Sequence, residues 1–462
     1  MIKLIRGTFL TIIILSLISS ITIFSKNVSV IGTGYVGLIA GSGLAKLGHN
    51  VICADIDRNK INNLIKGQMP IYEPGLEQIV KKNVRAGRLT FTNNVDDAIK
   101  NSDVVIVAVG TPMSDNGEAD LKYLESAMDT IVKNLNGYKV VCIKSTVPIG
   151  TNKKMKDLVN KYKNGSNRFD IVSNPEFLRA GNALKDFFED NPIVLGSDSK
   201  KALTIMEDLY APLKENGIPF ITGSFETAEM TKYASNCWVA IKVAYANELA
   251  RLANECGADI FKVMKGIGDV NKVRNIGDVK PGPGYGGSCL PKDTRAFVAK
   301  AKDYGIDLKI IKAVIESNKV QKIAAVRQLY NLLNGSVRGK NIGVLGLSFK
   351  ANTDDIRKSP AIDVIQKLKN EGAHIRVYDP QAAENMRRLF PAIKYCDSID
   401  QVAKNADALI ILTGWKQIKD MNLQKVAKQM KKPVIVDSRN LFNPADLEEN
   451  GFSFSNFGRR GS

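Results

Sequence analysis

The sequence predicts an α/β protein in which two doubly wound domains are joined by a long central helix and a helical connector. Three observations predict this class. Short apolar runs alternate with longer amphipathic stretches from residue 27 onward, as in βαβ units that build a parallel sheet. The alternation stops near residue 225 and resumes after Asn334-Gly335. A chain of 462 residues is also too long for one ordinary core.

The individual elements follow from this rhythm. Continuous apolar runs suit strands buried on both faces, and the first half has them at Val28–Ile31, Val51–Ala54, Val104–Val109, Val140–Ile143 and Ile193–Leu195. The stretch from Phe225 to Cys256 contains no Gly or Pro, so it predicts one long helix capped by Gly257, with further helical sequence to about Leu333. Strands return at Asn341–Leu345, Ile375–Tyr378, Ala408–Leu412 and Val434–Val436.

A glycine motif, GTGYVG at residues 32–37, directly follows the first predicted strand. It supplies a tight turn at Gly32, a close backbone approach at Gly34 and helix–strand packing at Gly37. The helix that begins there offers N–H groups and a positive dipole end to a pyrophosphate. Asp55 ends the next strand, where a carboxylate binds ribose hydroxyls and repels a 2′-phosphate. We therefore predict a Rossmann-like site for NAD rather than NADP; the alternative is a glycine turn without a ligand.

The segment GPGYGGSCLPKD at residues 282–293 is the most informative part of the chain. Its glycine-rich loop brings Cys289 to an expected helix start, where backbone amides favour anions and lower the pKa of a thiol. Asp293, four residues on, would share a helix face with Cys289. A buried structural cysteine is the alternative for any single Cys, but the glycine loop favours a reactive nucleophile.

Lys232 and Asn236 form a second pair, four residues apart on the predicted long helix. This spacing places both side chains on one face, between apolar positions. They could donate hydrogen bonds to an oxyanion, which is often the largest contribution to catalysis. The alternative for Lys232 is a solvated surface lysine.

Six motifs occur in order along the chain: GTGYVG, STVPIG, NPEFLRAG, the Lys232/Asn236 helix, GPGYGGSCLPKDT and GLSFKANTDDIRKSP. Together they resemble the UDP-glucose/GDP-mannose dehydrogenase family over about residues 27–440, and the cysteine motif is the specific part. The SCLPKD form favours the branch acting on C6 of a simple hexose over the N-acetylhexosamine branch. The resemblance implies NAD-dependent, two-step oxidation of UDP-glucose to UDP-glucuronate through a Cys289 thiohemiacetal and thioester, by a homodimer built on the long helix.

The resemblance also implies roles for matching positions. Lys232 and Asn236 would hold the oxyanion, while Asp293 would order a water or act as a base. Thr146 and Glu176 would lie beside the reacting centre, with Glu176 a candidate base for hydrolysis. The implied cofactor contacts are Gly32, Gly34, Tyr35, Val36, Gly37, Asp55, Lys60, Thr111, Thr146, Lys292 and Arg357. The implied substrate contacts are Glu176, Phe177, Leu178, Lys232, Asn236, Arg274, Tyr285, Gly286, Lys350 and Arg439.

Two departures from the family pattern lie toward the sugar. Ala180 stands where family members often carry Glu, and GDVNKVRNIGD lacks the usual D-x-R-I-G, with Arg274 as the candidate replacement. They leave GDP-mannose or another UDP-sugar as alternative substrates. A non-enzymatic NAD-binding scaffold is the alternative from another class. With these roles, the predicted segments are an apolar extension at 1–26, an NAD-binding domain at 27–222, a central helical domain carrying the cysteine at 223–334 and a UDP-sugar-binding domain at 335–462.

Composition narrows the function further. A formal charge of +18, scattered and without an aromatic-basic motif, favours anionic small ligands over nucleic acid. The chain has only two histidines, which argues against catalysis by a His cluster. Its six cysteines have no CxxC spacing, so we predict no metal site and a reducing compartment. Residues 7–25 are uncharged and could be a membrane anchor, a signal-peptide core or a dispensable extension. Because NAD is a cytosolic cofactor, we predict that the protein is cytoplasmic rather than exported.

Overall fold

The structure is a computed structural model that describes residues 25–114, 117–160, 169–271 and 279–459. The predicted extension at 1–26 lies almost wholly outside the described residues, and so does Arg274. Within the described ranges, no helix has both the length and the apolar character needed to cross a membrane.

The first half is built on an eight-stranded sheet. Its strands are β1 (Asn27–Ile31), β2 (Asn50–Ala54), β3 (Leu89–Thr92), β4 (Val104–Val107), β5 (Lys139–Ile143), β6 (Phe169–Ser173), β7 (Ile193–Gly196) and β8 (Phe220–Gly223). Their order is β3-β2-β1-β4-β5-β6-β7-β8, so the first six follow the doubly wound arrangement 3-2-1-4-5-6. The strand order reverses between β1 and β4, which opens a crevice at their carboxyl ends.

The parallel arrangement predicted from the sequence fails at one edge of this sheet. β7 pairs with β6 in antiparallel register through Ser173 and Gly196, and β8 runs parallel to β7. The chain between β6 and β7 does not cross the sheet face as a long helix. It forms a short helix (Ala183–Lys185) and a π-helical turn (Asp186–Asp190), and Phe187 packs against Gly43. The strand therefore returns in the opposite direction.

Helices cover the sheet and connect the halves. In the first half they are Tyr35–Lys46 (the dinucleotide helix), Arg58–Ile65, Leu76–Arg85, Val95–Lys100, Lys122–Lys133, Thr151–Asn160, Lys200–Leu209 and Ala211–Glu215. The connector contains Phe225–Cys256 (the central helix), Ile260–Asn271, Leu290–Lys302 (the cysteine helix), Lys309–Lys322 and Ala324–Leu332. The second half contains Pro360–Asn370, Ala383–Arg387, Ile399–Ala403, Lys416–Lys419, Leu423–Gln429 and Pro444–Glu449.

The central helix confirms the sequence prediction at both ends. Ser224 caps its start by accepting a hydrogen bond from Thr227 N, and Gly257 ends it with a left-handed φ of 78°. The 32 residues of this helix contact the cysteine helix and the helix Lys309–Lys322. It thereby supports the glycine loop at residues 282–288 and the helix that follows it.

The second half repeats the doubly wound order in six parallel strands. These are β9 (Asn341–Leu345), β10 (His374–Tyr378), β11 (Lys394–Tyr395), β12 (Ala408–Ile411), β13 (Val434–Asp437) and β14 (Ser453–Asn456), in the order β11-β10-β9-β12-β13-β14. The predicted fold class is therefore confirmed. Strands β3, β6, β8, β11 and β14 were not predicted, because they are short or lack a continuous apolar run.

The two halves share their first turn but differ in one contact. Gly32 and Gly346 both have positive φ and donate their N–H to the last residue of the neighbouring strand. Asp379 occupies the place after β10 that Asp55 occupies after β2, and it accepts from Leu347 N at 2.7 Å. In the second half, however, the indole N–H of Trp415 also donates to this carboxylate at 2.9 Å. Asp379 Oδ2 is therefore shared between the turn after β9 and the indole of Trp415.

Candidate active site

The three glycines of the GTGYVG motif have separate structural reasons. Gly32 adopts φ +98°, and a Cβ on Gly37 would lie 1.8 Å from the carbonyl oxygen of Gly32. At Gly34 a Cβ would meet nothing within 4 Å, so the space in front of the dinucleotide helix is open. No side chain caps the start of this helix. Its first amides are therefore free of a cap and fit a pyrophosphate.

Asp55 is held in place beside this helix terminus. Its Oδ2 accepts from the N–H and the hydroxyl of Thr33, each at 2.8 Å, and from Lys60 Nζ at 2.8 Å. Burial raises the pKa of Asp55, but the hydrogen bonds from Lys60, Asp57 and Thr33 outweigh burial and hold that pKa below its usual value. The carboxylate is thus ionised and oriented at the carboxyl end of β2. The structure fits the ribose of NAD, as the sequence predicts.

Thr111 and Thr146 meet at the carboxyl ends of β4 and β5. The Thr111 hydroxyl donates to the carbonyl oxygen of Thr146 at 2.8 Å. The two loops therefore form one wall of the crevice, as predicted. Val36 packs against the core of the first sheet, and the hydroxyl of Tyr35 donates to Glu73.

Four predicted catalytic side chains converge from three elements. Lys232 of the central helix forms a buried ion pair with Glu176 of the loop after β6, with Nζ and Oε1 3.3 Å apart. One turn on, Asn236 Nδ2 donates to Asp293 Oδ2 at 2.6 Å. Asp293 is 1% exposed and also pairs with Lys292 Nζ at 2.5 Å. The i, i+4 spacing of Lys232 and Asn236 thus connects the central helix to both carboxylates.

Cys289 sits at the start of the cysteine helix, as predicted, and its Sγ lies 3.5 Å from the hydroxyl of Ser288. The predicted lowering of its pKa is wrong. Burial raises the pKa of the Cys289 thiol, and the charges of Glu176 and Asp293 raise it further, whereas Lys232 acts in the opposite direction. A helix terminus alone would favour the thiolate, but the surrounding carboxylates favour the protonated thiol.

Lys232 remains charged in this environment. Burial lowers its pKa, but Glu176, Cys289 and Asp293 together raise it above the usual value. The site therefore contains a fixed ammonium beside the sulfur atom. This group can stabilise negative charge on an oxygen bonded to the same carbon as the sulfur.

Three buried amide side chains, which the sequence analysis missed, hold the glycine loop in front of Cys289. Asn318 makes two hydrogen bonds to Tyr285, accepting from its N–H at 2.8 Å and donating to its carbonyl at 3.0 Å. Asn247 accepts from Gly282 N, and Gln321 donates to Gly282 O, each at 2.8 Å. The sequence feature that could have revealed them is an Asn or Gln at a position on a helix face that is otherwise apolar.

The second half closes over this loop. Arg439 donates to the carbonyl oxygens of Leu412 at 2.7 Å and Phe349 at 2.9 Å. A Cβ on Gly286 would lie 2.5 Å from Lys358 O, so only glycine fits there. Gly287 N donates to the carbonyl oxygen of Arg357 at 2.7 Å.

The remaining predicted contacts differ in position. Lys350 lies near Arg179, which belongs to the loop after β6. Burial lowers the pKa of Lys350, and the charge of Arg179 lowers it further. Arg357 is exposed and bound to Asp355, with Nη2 and Oδ2 2.7 Å apart. The side chain of Tyr285 packs into a small apolar cluster with Ala240, Ala244 and Val314 instead of lining an open space. Leu178 N donates to Glu176 Oε2 at 2.5 Å, and Phe177 O accepts from Asn191 at 2.7 Å.

One further charged group beneath the site was not predicted. Lys144 follows β5, is 4% exposed and donates to Asn174 Oδ1 at 2.9 Å. Burial lowers its pKa. Among the described residues, no group of three or more His, Cys, Asp or Glu side chains could hold a metal ion.

Comparison with known proteins matches the chain to three domain models of one family. The NAD binding domain of the UDP-glucose/GDP-mannose dehydrogenase family matches residues 26–214, its central domain 226–320 and its UDP binding domain 343–444. The chain is 46% identical over 436 residues to the UDP-glucose 6-dehydrogenase TuaD of Bacillus subtilis (strain 168), covering 94% of this chain and 93% of that protein.

Solved structures agree with this match. A UDP-glucose dehydrogenase from the archaeon Pyrobaculum islandicum is 34% identical and superposes with a TM-score of 0.87, over 95% of this chain and 98% of that one. A UDP-D-ManNAc dehydrogenase from Pyrococcus horikoshii is 30% identical with a TM-score of 0.82, over 94% of this chain and 99% of that one. The chain therefore belongs to the UDP-glucose/GDP-mannose dehydrogenase family.

Proposed function

We propose that this chain oxidises the C6 hydroxymethyl group of UDP-glucose to a carboxylate, giving UDP-glucuronate, with NAD as the oxidant. The observation that carries the proposal is the convergence of Lys232, Glu176, Asn236 and Asp293 around Cys289. An alcohol that is oxidised twice without release of the aldehyde requires a covalent attachment, and a cysteine sulfur provides one. The similarity to UDP-glucose 6-dehydrogenases supports the choice of sugar.

NAD, when bound against Asp55 and the dinucleotide helix, supplies the hydride acceptor for both oxidations. In the first oxidation, C6 gives a hydride to this acceptor and its hydroxyl gives its proton to a water ordered by Asp293, which leaves an aldehyde. The Cys289 sulfur then adds to C6 while the carbonyl π bond opens. The thiol proton is transferred to the carbonyl oxygen, directly or through a side chain, and a thiohemiacetal results. Lys232 Nζ and Asn236 Nδ2 are the proposed donors to that oxygen.

Loss of a second hydride and of the hydroxyl proton converts the thiohemiacetal into a thioester. Water then adds to C6, the C–S bond breaks, and the departing sulfur recovers a proton. Glu176 is the proposed base for this water, because it is a buried carboxylate that pairs with Lys232 and lies close enough to Cys289 to raise the pKa of the thiol. Asp293, held by Asn236 and Lys292, is the proposed group that orients the water.

Lys350 and Arg439 are the proposed contacts to the UDP-sugar on the second half. Both contact Phe349: Lys350 Nζ lies 5.9 Å from the centroid of its ring, and Arg439 donates to its carbonyl oxygen. The match of this half to a UDP binding domain supports a UDP-linked substrate. Phe177, Leu178 and Gly286 are proposed substrate contacts, and Lys60 and Thr111 are proposed cofactor contacts, because they match family positions within the NAD binding and central domains. For Tyr285, only its backbone is proposed to face the sugar, because its side chain is buried in the apolar cluster.

The test is turnover of UDP-glucose, GDP-mannose and UDP-N-acetylglucosamine, followed by NADH absorbance. We expect UDP-glucose to have the highest kcat/KM and to yield two NADH per sugar, with UDP-glucuronate as the product. One NADH per sugar, with free aldehyde accumulating, would contradict the covalent scheme. Preference for GDP-mannose would retain the chemistry but change the substrate.

We further propose a cytoplasmic homodimer with domain boundaries at 27–222, 223–334 and 335–462. The boundaries are supported by the first sheet ending at Gly223 and the second beginning at Asn341. The dimer is supported by exposed apolar residues on the central helix, among them Trp238, Tyr245 and Leu252. NAD-dependent chemistry and six free cysteines support the cytoplasm.

A further inference from the structure

A buried carboxylate outside all six sequence motifs joins the coenzyme side of the crevice to the sugar side. Glu73 lies in the loop before the helix Leu76–Arg85 and is 6% exposed. Its Oε2 accepts a hydrogen bond from the hydroxyl of Tyr35, in the first turn of the dinucleotide helix. The same carboxylate accepts from Gly181 N at 2.6 Å and from Ala183 N at 2.8 Å.

These two amides belong to the loop that carries Glu176. The segment 176–183 begins at the ion pair with Lys232 and ends at the Glu73 contacts. Gly181 has φ +80°, and a Cβ there would lie 2.7 Å from the carbonyl oxygen of Asn352 in the second half. The loop is therefore fixed from three sides: the dinucleotide helix, the central helix and the second half.

Charge adds a second connection. Burial and Arg179 lower the pKa of Lys350, while Asp186 and Glu73 are among the carboxylates that raise it. Glu73 is thus electrostatically close to a proposed substrate contact as well as bonded to the motif that receives the coenzyme. Glu73 accepts these three hydrogen bonds as a charged group, and a carboxylate accepts stronger hydrogen bonds than a neutral side chain does.

We propose that Glu73 is a positioning residue that holds the sugar-side loop, Glu176 to Ala183, in register with the first turn of the dinucleotide helix. This inference rests on the proposed oxidation of UDP-glucose. Tyr35 belongs to the coenzyme motif, but through its hydrogen bond to Glu73 it also affects how the sugar-side loop binds the sugar. Neither Glu73 nor the Tyr35 hydroxyl needs to touch the reacting atoms.

The test compares Glu73→Gln, Tyr35→Phe and the double variant with the wild type. Glutamine keeps one acceptor oxygen but turns an NH2 group toward a backbone donor, so we expect the KM for UDP-glucose at saturating NAD to rise roughly tenfold. Tyr35→Phe removes one donor and should raise the KM about threefold. In both variants kcat should fall less than about threefold, and the double variant should be no worse than Glu73→Gln.

The matched control is Glu77→Gln, since Glu77 is half exposed and pairs only with Lys81 on the surface. Its KM should equal that of the wild type. A purely structural defect would lower the active fraction and therefore kcat, without changing KM. An unchanged KM for UDP-glucose in both Glu73→Gln and Tyr35→Phe overturns the proposal, whatever happens to kcat. If Glu73→Gln does not fold, Tyr35→Phe decides alone.

Calorimetric titration of the NADH complex with UDP-glucose separates this inference from the proposed function. It measures sugar affinity without turnover, and we expect the same weakening in the variants as in KM. A wild type that binds but does not oxidise UDP-glucose would overturn the proposed function only. Equal affinities in wild type and variants would overturn the role of Glu73 only.

Discussion

Cys289 is the proposed nucleophile, yet its surroundings favour the protonated thiol, because burial raises the pKa of this thiol. Glu176 and Asp293 oppose ionisation of the thiol, and Lys232 favours it. A protonated sulfur is less reactive toward stray electrophiles, yet it can add to a bound aldehyde if its proton moves to the carbonyl oxygen at the same time. The carboxylates that raise the thiol pKa are also the groups available to carry that proton.

The first prediction concerns the covalent step. Cys289→Ser should abolish formation of the acid, because a serine hydroxyl is a far weaker nucleophile in a site without a histidine base. NAD affinity should be unchanged, because no contact of the Asp55 crevice involves Cys289. Chromatography of the products, with NAD titration by fluorescence as the control, checks both points. Normal UDP-glucuronate formation by this variant would refute the covalent scheme.

The second prediction concerns the pH dependence of alkylation. Because the folded thiol has a raised pKa, the rate of its reaction with iodoacetamide should still increase with pH beyond the pKa of free cysteine. Lys232→Met removes the cation that lowers this pKa, so alkylation at a fixed pH below the pKa of the thiol should become slower.

The measurement uses a Cys256→Ser background, because Cys256 is exposed and would also react. Mass spectrometry of the Cys289 peptide then reports the rate. Lys302→Met, an exposed position at the far end of the cysteine helix, is the control and should have no effect. Faster alkylation in Lys232→Met would show that the electrostatic assignment has the wrong sign.

Gly150 precedes the helix Thr151–Asn160 and has no side chain that could cap it. The cap is Glu229, a carboxylate of the central helix. Glu229, 1% exposed, accepts from Gly150 N at 2.6 Å, Asn152 N at 2.8 Å and Asn152 Nδ2 at 2.7 Å. A carboxylate at a helix N-terminus satisfies free amides and the helix dipole together. Glu229 thus fixes the STVPIG loop, including Thr146, to the helix that carries Lys232.

The third prediction follows from this cap. Glu229→Ala leaves buried donors without a partner and should lower the free energy of unfolding by about 2–4 kcal/mol. Urea denaturation measures the change. Asp129→Ala, on the helix Lys122–Lys133, loses a surface contact to Lys133 and should change stability by less than about 0.5 kcal/mol. A similar loss in both variants would argue against the cap.

Elements with one dominant signal could be predicted from the sequence. The central helix was predicted residue for residue because its cap glycine and its freedom from Gly and Pro are local features. The reversal at β7 could not be predicted, because it depends on Phe187 packing against Gly43, a contact between distant segments. The prediction that the Cys289 pKa is lowered was wrong for the same reason. The helix start is a local feature, but the burial of the thiol and the charge of Glu176 depend on segments distant in sequence.

The exposed face of the central helix bears on the whole assembly. Trp238, Tyr245 and Leu252 follow at seven-residue spacing, which keeps them on one face, and they are 51%, 46% and 62% exposed. Exposed apolar side chains in such a row are typical of an interaction surface. They support the proposed homodimer.

The fourth prediction tests that dimer. The double variant Trp238→Lys with Leu252→Glu should shift the protein from twice the chain mass to the mass of a single chain in light scattering. The control is Ile306→Glu, an exposed apolar residue outside the central helix, which should leave the mass unchanged. A monomeric wild type would contradict the prediction directly.

Trp415 on Asp379 has a consequence for the order of events in a catalytic cycle. The Trp415 indole donates to the carboxylate of the second half, whereas Thr33 and Lys60 orient Asp55 in the half that matches an NAD binding domain. We therefore expect the nicotinamide cofactor to bind in the crevice beside Asp55. Two oxidations must then use that crevice in succession, and the spent NADH has to be replaced by fresh NAD midway. If the aldehyde is bonded to Cys289 as proposed, it stays on the protein during this exchange, and we expect the sugar to leave only as the finished acid.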